Sequence, residues 1–161
     1  MQGVETQTET VWEQANKFSV PRLGFVNKLD RMGASTELTI ESIRQRLNCE
    51  AFLVNVPVGE ESNFNGVIDL PSMRHYHWQD VLGTEVTFEE VTQEHPHYEY
   101  AIQEREKLFD ALGTLDDDFA EEYLSGNELS EDYVNSTIKR VLQQPNTLAL
   151  HCGSALKNRG V

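Results

Sequence analysis

Val11, Trp12, Ala15 and Phe18 recur on one face of a helix predicted over residues 5–18, and Thr6 followed by Glu9 has the spacing of a capping box. Pro21 then opens the short apolar run Arg22-Leu23-Gly24-Phe25-Val26, whose length and β-compatible residues after a helix predict a buried parallel strand. A loop over residues 27–34 follows. Ser35 is a good N-cap, and Ile40, Ile43 and Leu47 supply the inward stripe of a second helix. Helix, strand, loop, helix is the order of a doubly wound α/β domain.

Beyond Asn48 the pattern changes. Strand candidates at residues 52–57, 66–70, 74–78 and 84–88 are separated by Gly, Asn and Pro, which predicts a small antiparallel sheet. Tyr98, Ala101, Ile102, Leu108, Phe109 and Leu112 mark a helix over residues 97–112. A short helix follows at 117–124, opened by Asp116-Asp117-Asp118, whose charge suits the positive end of the helix dipole. A third begins near Ser130, turns Val134, Ile138, Val141 and Leu142 inward, and stops before Pro145. Residues 147–152 read as a further core strand, ending at Gly153-Ser154-Ala155-Leu156-Lys157. The predicted class is α/β: a doubly wound sheet, carried by residues 1–47 and 148–161, interrupted by an α+β insert over 48–147.

Charge divides the chain at the same places. Of 161 residues, 27 are acidic and 13 basic, a net charge of −14, but residues 1–47 carry six of each, residues 148–161 carry only Lys157 and Arg159, and residues 48–147 carry 21 acids against five bases. So strong a surplus argues against a broad phosphate-binding surface, and bare nucleic acid is excluded as the main partner. It favours steering toward a basic protein, with a solvated acidic face as the simpler alternative. No apolar run approaches the roughly 20 residues of a membrane span, and the first residues lack the Arg-rich pattern of a targeting peptide. Cys49 and Cys152, far apart and without CxxC spacing, read as free buried thiols.

The informative tetrapeptide is Asn27-Lys28-Leu29-Asp30, placed after a buried strand where an α/β sheet presents its ligand edge. Guanine shows two adjacent donors, N1–H and the N2 amine, and the two oxygens of one aspartate can accept both. Adenine offers an acceptor and a carbon there, so a buried carboxylate selects guanine. Asn27 would tie neighbouring loops together and reach the base, and the stem of Lys28 would cover one face of the nucleotide. Ser154-Ala155-Leu156 follows a later strand, and its small Ala155 lets a backbone N–H approach the O6 of the base; Gly153 keeps the turn open. The competing structural reading is a helix-initiating Asp30 and an ordinary turn at Ser154.

These residues resemble the GTP-binding domain of elongation factor G, a translational GTPase. Glu9-Thr10-Val11-Trp12, Pro21-Arg22, the run from Phe25 to Gly33 and the run from Cys152 to Val161 are similar to family stretches. Val56-Pro57-Val58-Gly59, the run from Asn63 to Leu70 and Trp78 are similar to the start of the G prime subdomain that the family inserts into its core. The likeness weakens from Leu82 to Asn146. It implies a partial P-loop-NTPase-like sheet, with Asn27, Lys28, Asp30, Ser154, Ala155 and Leu156 as the GTP/GDP base-binding residues. It also implies the ribosome as partner, with the acidic insert meeting the stalk protein through helices near 97–112 and 130–143. Ala155-Leu156-Lys157 and Glu41-Ser42-Ile43-Arg44 look more like mitochondrial members, translocase or ribosome-releasing factor 2, and imply the mitochondrial matrix, with the bacterial cytoplasm as the alternative.

Phosphate chemistry in this class needs a G-x-x-x-x-G-K-[ST] loop, magnesium ligands and a D-x-x-G switch. The strings Asp80-Val81-Leu82-Gly83 and Asp110-Ala111-Leu112-Gly113 sit between insert strands and at a helix end, and neither has that context. The expectation is therefore a fragment: GTP hydrolysis and Mg2+ belong to a longer protein, no residue here is catalytic, and the chain alone binds GTP no better than about millimolar. The alternative is a non-catalytic acidic adaptor that binds ribosomal stalk proteins. His75, His77, His95 and His97 lack a recognised cysteine or carboxylate spacing and are read as exposed polar histidines, with no metal site. Trp12 and Trp78 are read as packing aromatics.

Overall fold

A computed structural model describes residues 4, 6–31, 35–59, 61–80 and 82–161. Gly3, Glu5, Met32, Gly33 and Val81, to which several sequence expectations extend, lie outside the described residues. The chain order is α1 (Thr6–Lys17), β1 (Leu23–Val26), α2 (Thr36–Leu47), β2 (Glu50–Leu53), β3 (Asn55–Val58), β4 (Gly66–Asp69), β5 (Arg74–Trp78), β6 (Val86–Glu90), α3 (Tyr98–Leu115), α4 (Asp117–Leu124), α5 (Glu131–Val141) and β7 (Thr147–Cys152), with a short 3-10 turn at Glu61–Asn63.

The strands form two sheets. β1, β7 and β2 pair in parallel in that spatial order, with Val26 beside Cys152 and Leu53 beside Leu150. β3, β4, β5 and β6 form an antiparallel meander. The α/β class is the one expected, a parallel sheet interrupted between β2 and β7 by the meander and three helices. The strand expected at 52–57 is in fact two: the chain bends at Val54, and its halves join different sheets. The one polar residue of the run, Asn55, opens the second half, but a single polar position sets no period-two pattern that would show the break. The other strands and helices lie within a few residues of their expected positions, which is the normal uncertainty of element ends.

Caps set the helix starts. Ser35 Oγ accepts from the Leu38 amide, Asp116 from Phe119 and Ser130 from Tyr133, each a side-chain oxygen meeting one of the orphan first-turn donors. Asn48 takes the left-handed conformation that ends α2, which asparagine adopts more readily than most residues. On α3, Ala101, Leu108 and Leu112 are fully buried, and Phe109 meets Phe119 and Tyr123 edge to face while Phe119 stacks on Tyr133. That aromatic cluster locks α3, α4 and α5 together.

Three expectations about exposure are corrected. Val11 of α1 and Phe18, just past its end, are expected inward with Trp12, but of the three only Trp12 is buried. The strand expected to be buried, β1, is the outer strand of its sheet, and only Val26 of it is buried, so Leu23 and Phe25 stand exposed beside α1, along an open groove of about 960 Å3. His75 and His95 were expected to be exposed polar side chains. Their side chains are buried, because the turn between β6 and α3 folds His95 back over His75.

Candidate functional site

β1 and β7 lie side by side, so the loops that leave their carboxyl ends emerge together. That is where open α/β sheets bind ligands. The junction is stitched by backbone bonds: the Gly153 amide donates to Val26 O (3.0 Å) and the Leu29 amide to Gly153 O (3.2 Å). Gly153 is required at this point, since a Cβ there would stand 2.3 Å from the carbonyl oxygen of Arg159.

Asn27 ties the two loops together. Its Oδ1 accepts from the amide of Lys28 (2.7 Å) and from that of Ala155 (2.9 Å), 128 residues away in sequence. Lys28 is exposed and has φ +68°, a backbone state that costs a non-glycine residue about 1–2 kcal/mol. Strain of this kind is characteristic of ligand loops held by their surroundings. Leu29 points into the core, 4% exposed, and so fixes which way the flanking Lys28 and Asp30 face.

The Asp30 side chain is 10% exposed, and its Oδ2 lies 3.9 Å from Lys157 Nζ. The hydroxyl of Ser154, itself fully buried, donates to this carboxylate. That hydrogen bond holds the Asp30 carboxyl below the usual carboxylate range; partial burial opposes it, and the residue's own backbone N–H with the charges of Lys157 and Arg31 adds to it. Asp30 is therefore an ionised, acceptor-only group at neutral pH. The second loop is closed on itself: the Ser154 and Arg159 backbones pair (2.9 and 3.0 Å), the Asn158 amide donates to Ala155 O, and Ala155 and Leu156 are left exposed at the tip.

All six base-binding candidates, Asn27, Lys28, Asp30, Ser154, Ala155 and Leu156, come together at this junction. One detail differs from expectation. The Ala155 amide, expected to face the O6 of a base, donates to Asn27 Oδ1. Two supporting residues escaped sequence reasoning. Lys157 places its ammonium beside Asp30, and Asn55 accepts from the Cys152 amide (2.7 Å) from inside the core, just behind the second loop. Lys157 carries a weak signal, three residues beyond Ser154; Asn55 carries none. The two D-x-x-G strings are structural: Asp80 accepts from the Thr84 and Glu85 amides in a turn, and Asp110 to Gly113 lie within α3.

A crystal structure of a protein from Thermus thermophilus is similar to this chain, with a TM-score of 0.77 at 23% sequence identity, over 98% of this chain and 23% of that one. The chain thus spans about a quarter of that protein, and the likeness is one of fold. Residues 1–161 match the model of the Elongation factor Tu GTP binding domain, and the chain belongs to that family.

Proposed function

We propose that this chain is the guanine-reading part of a ribosome-dependent translational GTPase similar to elongation factor G. The observation that carries the reading is the Asn27–Ala155 hydrogen bond, which unites the two loops and sets Asp30 against Ser154. Asp30 accepts from N1–H and the N2 amine of the base, Lys28 lays its stem along the ring, and Leu156 shields the open side. On binding, the Ala155 amide exchanges Asn27 for the O6 of the base, while Asn27 keeps the Lys28 amide. Hydrolysis and Mg2+ go with the phosphate loop and switch motifs, which this sequence does not contain.

NMR titration of the 161-residue chain tests this, because amide shifts report millimolar binding. GTP is expected to shift the amides of residues 27–30 and 154–157 more than ATP does. Asp30→Asn should transfer that preference to XTP, whose xanthine replaces the N2 amine with an acceptor that the new amide can satisfy. A bidentate base contact provides roughly 1–3 kcal/mol, so the reversal should be about 5- to 150-fold. Equal shifts with ATP and GTP, or an unchanged GTP preference in the variant, would remove Asp30 from base reading.

We also propose that the acidic surface meets a basic ribosomal protein of the stalk. Glu99, Glu106 and Asp110 on α3 and Asp132 on α5 are exposed, so the acids of both helices face solvent. Binding should weaken steeply with added salt. An association insensitive to ionic strength would count against it.

A further inference from the structure

The sheet register and one turn bring a second set of side chains together, far from the nucleotide loops in function and chemistry. His75 on β5 pairs directly with Glu89 on β6, and His77, two residues on, opposes Thr87 on the same face. The turn after β6, closed by the bond from the His95 amide to Thr92 O (2.9 Å), carries His95 back over that face. His75 Nδ1, His95 Nε2 and Glu89 Oε1 then lie at the corners of a triangle whose three edges are each 3.3 Å.

That triangle has the size of one face of a zinc coordination tetrahedron. With metal–ligand bonds of about 2.0–2.1 Å, a regular tetrahedron has edges of about 3.3–3.4 Å. His77 Nδ1 lies 4.0 Å from the same carboxylate oxygen but outside the triangle, which leaves the fourth corner open on the solvent side. The side chains of His75 and His95 are buried, whereas half of Glu89 is open to solvent, so the ligands are held from below and reached from one side.

We propose that His75, Glu89 and His95 form a binding site for a divalent transition-metal ion of the zinc type, with a water completing the tetrahedral shell. Two imidazoles with one carboxylate suit zinc or its first-row neighbours and suit neither magnesium nor calcium, which take oxygen ligands. One internal contact changes on loading. The His97 amide donates to His95 Nδ1 (3.1 Å), and ligation through Nε2 moves the ring proton onto Nδ1, so that bond breaks. The site sits on the strand and turn that lead into α3, and a bound ion would cross-link β5, β6 and the start of the helical part.

Calorimetric titration of the full chain with Zn2+ should show one site of about micromolar Kd, unaffected by millimolar Mg2+. Glu89→Gln and His95→Gln should each weaken it by about 100-fold or more, since even partners one shell further out are worth about 10- to 100-fold. His151→Gln, on β7, should leave it unchanged. Co2+ should give the intense visible bands of a tetrahedral site and shift the His97 amide resonance, and these two readouts on the unaltered chain decide the matter if a variant fails to fold. An octahedral Co2+ spectrum, no Zn2+ binding below millimolar, or affinity that survives both substitutions would overturn the proposal.

Discussion

Asn55→Ala tests how the two sheets are joined behind the loops at residues 27–30 and 153–157. Asn55 is the first residue of β3 and is 6% exposed; its Oδ1 accepts from the Cys152 amide at 2.7 Å, and its Nδ2 lies 3.5 Å from the Cys152 carbonyl oxygen. Cys152 ends β7 and is fully buried, so removing the side-chain amide leaves its N–H without an acceptor or water. A buried donor left unpaired costs about 1–3 kcal/mol, and the small void adds to it, for an expected loss of about 2–3 kcal/mol. In a chain of this size 1 kcal/mol moves Tm by about 2–4 °C, so Tm should fall by roughly 5–10 °C. Urea unfolding followed by circular dichroism gives the free energy, and hydrogen exchange at the Cys152 amide gives its location. Asn55→Asp separates the parts: it still accepts from the amide, but it sets a buried charge against a carbonyl, so its deficit should shrink as acid protonates it. A loss below about 0.5 kcal/mol in the alanine variant, with the Cys152 amide still protected, would refute the assignment of this contact as a buried joint.

Gly153→Ala should destabilise the chain by about 1–3 kcal/mol and unfasten the Ser154 loop first, because the new methyl meets the fixed carbonyl of Arg159; an unchanged exchange pattern at Ser154 and Arg159 would contradict that. Asp116→Ala removes both the cap of α4 and a two-bond fork to Arg140 (3.0 and 3.0 Å), for about 1–2 kcal/mol at neutral pH. Arg140, with the Phe119 amide behind it, holds the Asp116 carboxyl below its usual range, against partial burial. This contribution is therefore present above the unfolded value of about 3.9 and is lost as pH falls through the depressed folded value, so parent and variant unfolding curves should converge in acid. Burial pushes the Cys49 thiol up to about 11, and that of buried Cys152 upward as well. At pH 8 the Cys49 thiolate fraction is then on the order of a thousandth, and a disulfide reagent should titrate both thiols only at the rate of unfolding. Rapid reaction of either in the native chain would show that its burial is wrong.

The parts of the structure that could be read from the chain are those whose signal is local. Ser35 and Ser130 cap helices because a hydroxyl meets an amide three residues on, a relation that sequence spacing shows directly. The two candidate loops were legible for a related reason: each follows a short apolar strand, and parallel pairing of β1 with β7 is enough to bring their ends together. What remained hidden depends on contacts that spacing does not encode. The bend at Val54 lies in a run whose one polar residue, Asn55, is itself buried, so the competition between two sheets for the same stretch decides where it divides. The outward turn of Val11 and Phe18 depends on β1 standing at a sheet edge, where a helical stripe has less to cover it.

The histidines show the same limit at a site. Alternation along β5 does place His75 and His77 on one face, but the partner that matters, Glu89, is selected by the register of β5 on β6, and His95 by the closure of a turn. Each relation taken singly is an ordinary feature of a meander. Together they set three ligand atoms at equal spacing on a buried floor, in a part of the chain where acids outnumber bases by 21 to five and where the charge alone suggested only a solvated or docking surface. The acidic surplus and the histidine triangle are thus compatible rather than competing. A negative field draws in a cation, and the two imidazoles, which add no charge in their neutral form, decide which cation stays.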